Sequence, residues 1–327
     1  MGRFRQRFVA GALERQVPRD TAEAVFEQLR SFASFGFCKS HAAAFAKTAY
    51  DTLYLLERYP AAYYCAYLNN EPLGFYAPRV VIADARHHGV RVLPVHVNRG
   101  QDVCTLEDGA LRLGLSYVDG LGEAALERLL EARPASGYRD LADLCQRARL
   151  PRRSVENLIL AGALADWCDD QRQLLWELGR LRWREDALPL AWPSDGVALE
   201  PMTDAERLMA EYGATGVSAQ GHLMELYRER AEAAGALASE KLTAIPAGAR
   251  VRVAGMVAVR QRPPTAKGFV FVTLEDEGGT MNVIIKPPVF ERQHQVWSRG
   301  LVLLVEGTVE REGAFCNVMA QRAWRLA

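Results

Sequence analysis

The sequence lacks an excess of charge, paired cysteines and long apolar runs, and each absence excludes a class of protein. Lysine plus arginine and aspartate plus glutamate both number 40, so the chain as a whole is not a basic nucleic-acid binder. The six cysteines are scattered without a C-x-x-C pair, which favours reduced thiols over disulfides or a zinc site. No apolar run approaches a membrane span, and the opening MGRFRQRF has no apolar core of a secretion signal. We therefore expect a cytoplasmic protein with no membrane contact.

A chain of 327 residues is long enough for two or three domains, and about half of its residues are apolar. Because the net charge is zero, any nucleic-acid binding must come from local basic patches. Three patches stand out: Arg3, Arg5 and Arg7; Arg152 and Arg153; and the stretch 250–267.

Apolar residues recur at helical spacing through the first ninety residues. Ser40 is a suitable N-cap for a helix that Pro60 ends, because a serine hydroxyl can accept from the first backbone N–H groups and proline breaks the ladder. Pro60 and Pro78 each stand where a further helix can begin, and Gly89 ends the last one. We predict a helical segment over residues 1–98.

A bend of the form Gly-x-Gly follows at VDGLGEAALERLL, with a helix directly behind it. Gly120 and Gly122 let backbone N–H groups approach a phosphate, and the helix start adds the positive end of its dipole. Such contacts grip the sugar–phosphate backbone and read no sequence. A glycine turn between packed helices is the alternative, but the helical repeat after it, with a basic turn at Arg152 and Arg153, favours binding. We predict a helix-hairpin-helix domain over residues 99–165.

Residues 166–246 show less regular patterning. Tryptophans lie in or near this stretch, and prolines interrupt its helices. We interpret it as a helical connector whose tryptophans pack it against its neighbours. They are Trp167, Trp176, Trp183 and Trp192.

From Arg250 the apolar pattern becomes that of β-strands. A strand over 251–259, a basic loop and a hairpin turning at Gly278-Gly279 are followed by a helix and two more strands. This order of elements is that of an OB-fold barrel, in which the first loop and the face of the second and third strands form the oligonucleotide site. We predict an OB-fold nucleic-acid-binding domain over residues 247–327.

The hairpin RQRPPTAKGFVFVTLEDEGGTMNVII, residues 260–285, contains the candidate site of this barrel. Cations supply charge for phosphates, and exposed aromatic rings stack on bases. From these residues alone, a half-buried hairpin with a solvated basic loop is an equal alternative, and the position in the strand order favours binding. Both faces of the strand are apolar, which leaves open the face that meets the core. The candidates are Arg260, Arg262, Lys267, Phe269 and Phe271.

Three stretches resemble one protein family. Phe35-Gly36-Phe37 with the run 39–45, KSHAAAF, resembles the fingers motif of the bacterial DNA polymerase III alpha subunit. Residues 68–100 and 260–277 are similar to its error-prone, translesion homologue. The resemblance covers nearly the whole chain and implies a multidomain α+β fold. Its parts are a helical fingers segment, a helix-hairpin-helix domain, a helical connector and a C-terminal OB-fold β-barrel.

The resemblance also implies roles for particular residues. Lys39, Ser40 and His41 match the fingers motif and are expected near the nucleotide or the primer–template. The alternative is structural, with Ser40 as a helix cap and His41 as a packed ring. Gly120 and Gly122 inherit the grip on duplex DNA, and the OB-fold candidates inherit contact with single-stranded template.

Polymerases of this family carry aspartates in a palm that precedes the matched region and holds two Mg²⁺ ions. We expect this chain to begin inside the fingers, to bind no cofactor itself and to be inactive alone. Its tight acidic clusters, Asp169-Asp170 and Glu275-Asp276-Glu277, are expected to be surface carboxylates.

The resemblance thus predicts the DNA-binding C-terminal part of an error-prone DNA polymerase. Two alternatives are open: a subunit that regains activity with a separate N-terminal chain, and a stand-alone DNA-binding accessory protein. The expected partners are primer–template and single-stranded DNA, with a polymerase chain and other mutasome or replisome proteins in addition.

Overall fold

The structure is a computed structural model that describes residues 2–34, 39–181, 197–313 and 315–326. The chain divides into two compact units, Met1–Arg58 and Tyr59–Ala327. Within the described ranges, no helix combines the length and the apolar character that crossing a membrane requires.

Three helices form the first unit: α1 (Gly2–Glu14), α2 (Arg19–Ser34) and α3 (Lys39–Arg58). α1 and α2 pack against each other, with the rings of Phe8 and Phe26 5.6 Å apart. The prediction of helices here is confirmed, but Ser40 is the second residue of α3 rather than its N-cap, because Lys39 is already helical. The first part of the fingers motif, residues 35–38, lies outside the described residues.

The second unit begins with two helices that each start at a proline, α4 (Pro60–Asn69) and α5 (Pro78–His87). Proline suits the first helical position because its missing N–H would have no partner there. Both predicted helix starts are therefore confirmed.

A small sheet follows, with strands β1 (Val92–Leu93), β2 (Thr105–Glu107) and β3 (Ala110–Arg112) in the order β1-β3-β2. β2 and β3 form an antiparallel hairpin. Its two turn residues, Asp108 and Gly109, have φ angles of 49° and 74°, as a tight hairpin turn requires.

Four helices build the next domain: α6 (Glu123–Glu131), α7 (Leu141–Ala148), α8 (Arg152–Leu160) and α9 (Gln171–Arg180). Leu129, Leu144 and Leu158 are fully buried among them. The N-cap of α7 is Asp140, whose carboxylate accepts a hydrogen bond from the Asp143 amide at 2.8 Å. This core supports the glycine bend that precedes α6.

The connector contains α10 (Asp204–Thr215), a 3₁₀ turn (Leu223–Tyr227), α11 (Arg228–Ala233) and α12 (Ser239–Leu242). Its predicted helical character is confirmed. Trp176 is 43% exposed and Trp167 is half-buried, and their predicted packing role remains a prediction. Trp183 and Trp192 lie outside the described residues.

Five strands close into a barrel: β4 (Arg250–Gln261), β5 (Val270–Asp276), β6 (Gly279–Ile285), β7 (Val302–Glu312) and β8 (Phe315–Arg325). Around the barrel the order is β4-β5-β6-β8-β7, and β7 pairs back with β4. Two short helices, α13 (Pro287–Arg292) and α14 (His294–Arg299), connect β6 to β7. The predicted OB-fold order is confirmed.

β6 and β8 pair in parallel only where residues 282–284 face residues 317–319. Beyond that ladder, a side chain satisfies the edge of β8. The Gln293 amide donates to the Ala323 carbonyl at 2.7 Å and accepts from the Ala323 N–H at 3.0 Å. The helical connection between β6 and β7 thus closes the gap that the strands leave.

Side-chain alternation along β5 decides which face of the hairpin meets the core. Val270, Val272 and Leu274 are buried inside the barrel, and Phe271 points outward with 36% of its surface exposed. Phe269, just before the strand, is partly exposed as well. A shift of one residue would exchange the two sets, because neighbouring side chains point to opposite faces. Of the two alternatives that the sequence left open, the correct one places both phenylalanines outside the core.

β5 ends in two buried carboxylates, Glu275 and Asp276, which with Glu277 we name the acidic corner. Arg79, in the first turn of α5, donates from Nε to Glu275 Oε1 at 3.0 Å. Arg228, the first residue of α11, lies 3.1 Å from Asp276 and 2.5 Å from Glu277. The prediction of surface carboxylates is therefore wrong for Glu275 and Asp276, because arginines from two helices cover them.

Asp276 also shapes the turn that follows the acidic corner. Its carboxylate accepts from the backbone amides of Ser239 at 2.9 Å and Gly278 at 3.0 Å. A Cβ atom on Gly278 would lie 2.7 Å from Glu240 Cγ, so the close approach of α12 requires this glycine. Of the two turn glycines only Gly279 has a positive φ, 147°.

His222 lies near the acidic corner, and its burial makes the stability of the chain depend on pH. Its Nδ1 accepts from the Met224 amide at 3.1 Å. Burial lowers the pKa of His222 to about 4, although Glu277 and Asp276 attract the charged form. An unfolded histidine titrates near 6.5. Its neutral form therefore contributes stability above pH 6.5 that is lost as pH falls toward 4, roughly 3 kcal/mol in all.

We expect the His222→Asn variant, which keeps an acceptor for the Met224 amide, to lose this part of the pH dependence. Urea unfolding of wild type and variant at several pH values between about 7 and 4 measures it. The matched control is His294→Asn, at an exposed histidine. Equal slopes for His222→Asn and wild type would contradict the assignment.

Candidate nucleic-acid interface

Two side chains of α8 hold the glycine bend before α6. Ser154 Oγ donates to the Gly120 carbonyl at 2.7 Å, and Asn157 Nδ2 donates to the Asp119 carbonyl at 2.7 Å. Gly120 has a φ of 73°, which favours glycine, and Gly122 is the N-cap of α6. Both glycines are exposed, and the first N–H groups of α6 have no partner within the helix. The bend therefore presents backbone donors at the positive end of a helix dipole, as an anion site requires.

The two arginines predicted for this domain begin α8 rather than preceding it. The next residue of α8, Ser154, contacts the bend, whereas Arg152 Nη2 lies close to Gly179 of α9. Arg152 forms an ion pair with Glu156 at 3.0 Å. Arg153 is exposed and forms no ion pair with the described part of the chain. The structure thus places the start of α8 against the predicted glycines through Ser154, and of the two arginines Arg153 is the one without an ion pair among the described residues.

Arg260, at the end of β4, makes structural contacts. Its Nε donates to the Trp297 carbonyl at 2.7 Å, and its Nη2 donates to the Gly300 carbonyl. These carbonyls lie at the end of α14, where backbone acceptors lack helical partners. Desolvation lowers the pKa of Arg260. Its guanidinium therefore caps a helix, and contact with a phosphate would require it to leave these carbonyls.

The other cations of the loop are free to meet a ligand. The Arg262 guanidinium lies 5.4 Å from the centre of the Phe290 ring, within cation–π distance. Lys267 is exposed at the loop tip, with a φ of 51°. Neither forms an ion pair with a carboxylate of the described residues. The loop thus contributes two exposed positive charges next to the outer face of β5.

The outer face of β5, β6 and β8 contains polar and apolar side chains that the sequence-based prediction missed. The strand register aligns Phe271 with Ile284 and Thr273 with Asn282, and it aligns these two β6 residues with β8. Amide side chains can donate to and accept from base edges, and the phenylalanine ring can stack on a base. We name this surface the OB face; it consists of Phe271, Thr273, Asn282, Ile284, Asn317 and Met319.

The alternation of β6 was the signal that could have found Asn282. Its sequence T-M-N-V-I-I alternates outward and inward, with Met281, Val283 and Ile285 buried. Asn317 carries no comparable signal, because its position on the OB face depends on the parallel pairing of β8 with β6.

The fingers residues belong to the first unit. Lys39, Ser40 and His41 are the first three residues of α3, and all are exposed. The His41 ring contacts the Phe45 ring, with centroids 4.4 Å apart. The predicted roles of these three residues remain predictions.

Among the residues that the structure describes, no group of three histidine, cysteine, aspartate or glutamate side chains is placed to hold a metal ion. The acidic corner does not fit a pair of Mg²⁺ ions, because Glu275 and Asp276 already bind arginines in a buried position.

A glycine bend at a helix start, combined with an OB-fold barrel in one unit, defines a protein of the nucleic-acid-binding class. Residues 89–174 match the family described as helix-hairpin-helix motif. Residues 251–315 match the family described as OB-fold nucleic acid binding domain.

Comparison with individual proteins identifies the similarity more specifically than the two family models do. Over 98% of its length it is 40% identical to the error-prone DNA polymerase of Azoarcus sp. (strain BH72), and over 99% it is 39% identical to that of Anaeromyxobacter sp. (strain K). The error-prone DNA polymerase of Methylococcus capsulatus is 36% identical over 98% of the chain. Over nearly its whole length the chain is thus similar to part of the error-prone DNA polymerases. It spans 31%, 30% and 33% of these three relatives, about a third of their length.

The basic loop of the barrel provides a direct test of the interface. We expect the double variant Arg262→Ala/Lys267→Ala to bind single-stranded DNA more weakly and to lower the slope of log affinity against log salt by about 1.4, or 0.7 for each lost phosphate contact. Arg260→Ala should instead lower the unfolding midpoint, because it removes the cap of α14. Fluorescence anisotropy over a salt series measures the slope, with the exposed Arg91→Ala as control. An unchanged slope in the double variant would exclude the loop from the interface.

Proposed function

We propose that this chain is the DNA-holding part of an error-prone DNA polymerase. The helix-hairpin-helix domain grips the primer–template duplex, and the OB face holds the single-stranded template. The observation that carries the proposal is the presence of both surfaces in one compact unit: an exposed glycine bend at a helix start, and a barrel face with an exposed aromatic ring. The similarity to error-prone polymerases supports it.

The grip on duplex DNA follows from the backbone of the bend. The N–H groups at the start of α6 donate to a phosphate, and the helix dipole adds attraction for the negative charge. Arg153 supplies a full positive charge beside it. Since none of these groups reads a base, the grip is independent of sequence, as a polymerase that moves along DNA requires.

The hold on the single strand follows from the OB face and its loop. Arg262 and Lys267 attract phosphates, Phe271 stacks on a base, and the asparagines of the face contact base edges. Stacking tolerates any base because every base has a flat π-face. This combination suits a template strand whose sequence, and whose state of damage, varies.

The fingers residues have a third proposed role. Lys39 offers a charge to the phosphates of the nucleotide or the primer–template, and Ser40 or His41 offers a hydrogen bond. Their exposure at the start of α3 is compatible with this role.

Nucleotidyl transfer itself is proposed to depend on residues outside this third of the relatives' length. The Mg²⁺ ions would supply the charge stabilisation of phosphoryl transfer there. Catalysis would then require carboxylates from the rest of the polymerase, in the same chain or in a separate one, and mutasome or replisome proteins are further proposed partners. These residues alone would hold DNA without extending a primer.

Phe271 tests the hold on the single strand. We expect Phe271→Ala to weaken binding of a single-stranded oligonucleotide by about 1–3 kcal/mol, because one stacked base is lost. The unfolding midpoint should hardly change, because the ring lies outside the core. Leu274→Ala is the matched control: it is buried, so it should lower the unfolding free energy by about 2–5 kcal/mol. Loss of stability without loss of binding at Phe271 would make that residue part of the fold rather than of the site.

Duplex binding and primer extension together test the proposed division of labour. We expect the 327-residue chain to bind a primer–template and to incorporate no nucleotide in the presence of Mg²⁺. Arg153→Ala should lower the salt slope of duplex binding by about 0.9 and leave single-strand binding unchanged. Arg91→Ala serves as the single-charge control. Extension by a pure preparation would overturn the proposed lack of catalysis, and equal slopes would remove Arg153 from the grip.

A further inference from the structure

The outer face of β4, β7 and β8 carries a second basic surface. The strand register places Arg252 opposite Glu306 and Glu306 opposite Arg322, all on the outside of the barrel. Arg250 precedes Arg252 by two residues on β4, and Trp324 follows Arg322 by two residues on β8. We name this surface the arginine face and define it as Arg250, Arg252, Arg322 and Trp324.

Trp324 positions two of these arginines. Its ring is half-buried and packs against the cluster through which the connector contacts the barrel. The Arg252 guanidinium lies 5.8 Å from the ring centre and the Arg322 guanidinium 5.5 Å, both within cation–π distance. The ring therefore restricts both long side chains, which reduces the entropy that they would lose on binding a ligand.

The arginine face has more positive than negative charge. Glu306 lies 2.9 Å from Arg252, so its negative charge offsets the positive charge of that one arginine. Arg250 donates to the Gln321 side chain at 3.2 Å, and Arg322 forms no ion pair with the described carboxylates. Arg250 and Arg322 are exposed and are thus free to bind an anion.

Strand β8 joins the arginine face to the OB face. Asn317 and Met319 of β8 belong to the OB face, where they pair with β6. After Met319 the strand pairs only with β7, and three residues later it presents Arg322. At roughly 3.3 Å per residue the two surfaces are about 10 Å apart along the strand. A ligand that leaves the OB face along β8 therefore reaches the arginine face directly.

We propose that the arginine face binds the sugar–phosphate backbone of the same DNA single strand, beyond the nucleotides that the OB face holds. The proposal rests on the function proposed above, because it requires the OB face to hold a strand. Arg250 and Arg322 each contact a phosphate, and Trp324 keeps Arg322 in place. The barrel then has two contact surfaces in series, and the second contributes only when the strand is long enough to reach it.

Oligonucleotide length separates the two surfaces. We would measure binding of thymidine oligonucleotides of roughly 5 and roughly 16 nucleotides, near the two ends of the range of OB-fold site sizes. Arg250→Ala/Arg322→Ala should bind the short oligonucleotide as wild type does. It should bind the long one on the order of tenfold more weakly, with a salt slope lower by about 1.4. Arg91→Ala/Lys241→Ala, which removes two exposed charges elsewhere, should bind both lengths as wild type does.

Each other result has a definite meaning. Equal binding of the long oligonucleotide by variant and wild type would overturn the proposal, and so would an equal loss at both lengths. Binding of a poly-glutamate peptide in place of the long oligonucleotide would identify a protein-binding surface and overturn it as well. Failure of wild type to bind either length would instead reject the proposed hold on single strands, and this inference with it. Circular dichroism shows whether the double variant is folded. If it is not, the single variant Arg322→Gln replaces it in the same binding test.

Discussion

Strand β5 ends in two buried carboxylates, and the arrangement of the second unit depends on how they are neutralised. A buried charge without a partner costs several kcal/mol, so Glu275 and Asp276 are stable there only with Arg79 and Arg228 beside them. One arginine belongs to the first turn of α5 and the other begins α11. The ion pairs therefore join the barrel to helices that precede it in the sequence. Arg79 and Glu275 are 196 residues apart, and Arg228 and Asp276 are 48 residues apart.

Both proposed DNA surfaces are supported by buried groups. Hydrogen bonds from Ser154 and Asn157 hold the glycine bend, and the packed face of β5 holds Phe271 outward. Surfaces supported in this way keep their geometry when they are unoccupied, which lowers the cost of binding. The arginine face follows the same pattern, since the half-buried Trp324 restricts Arg322. The proposed DNA-binding surfaces are therefore largely preformed.

Much of this could be predicted from the sequence because the signals are local. Glycine spacing at 120 and 122, prolines at helix starts and the order of strands each depend on neighbouring residues, and the structure agrees with them. The errors concern residues whose role depends on distant partners. Arg260 is basic and lies beside the binding loop, yet it caps α14 because Trp297 and Gly300 end there. No pattern near Asn317 indicates that parallel pairing brings it onto the OB face.

The sequence by itself determined the kinds of elements, their order and the resemblance to error-prone DNA polymerases, because hydrophobic period, turn residues and motifs are all local properties of the chain. The tertiary structure alone decided which face of β5 is exposed and which charges are free. Both faces of that strand are apolar, so only packing against the rest of the barrel selects the buried one. Likewise, Glu275 is a buried ion-pair partner rather than a surface acid because Arg79, 196 positions earlier, folds against it. Charge and polarity are local properties, whereas burial and pairing depend on residues that only the fold brings together.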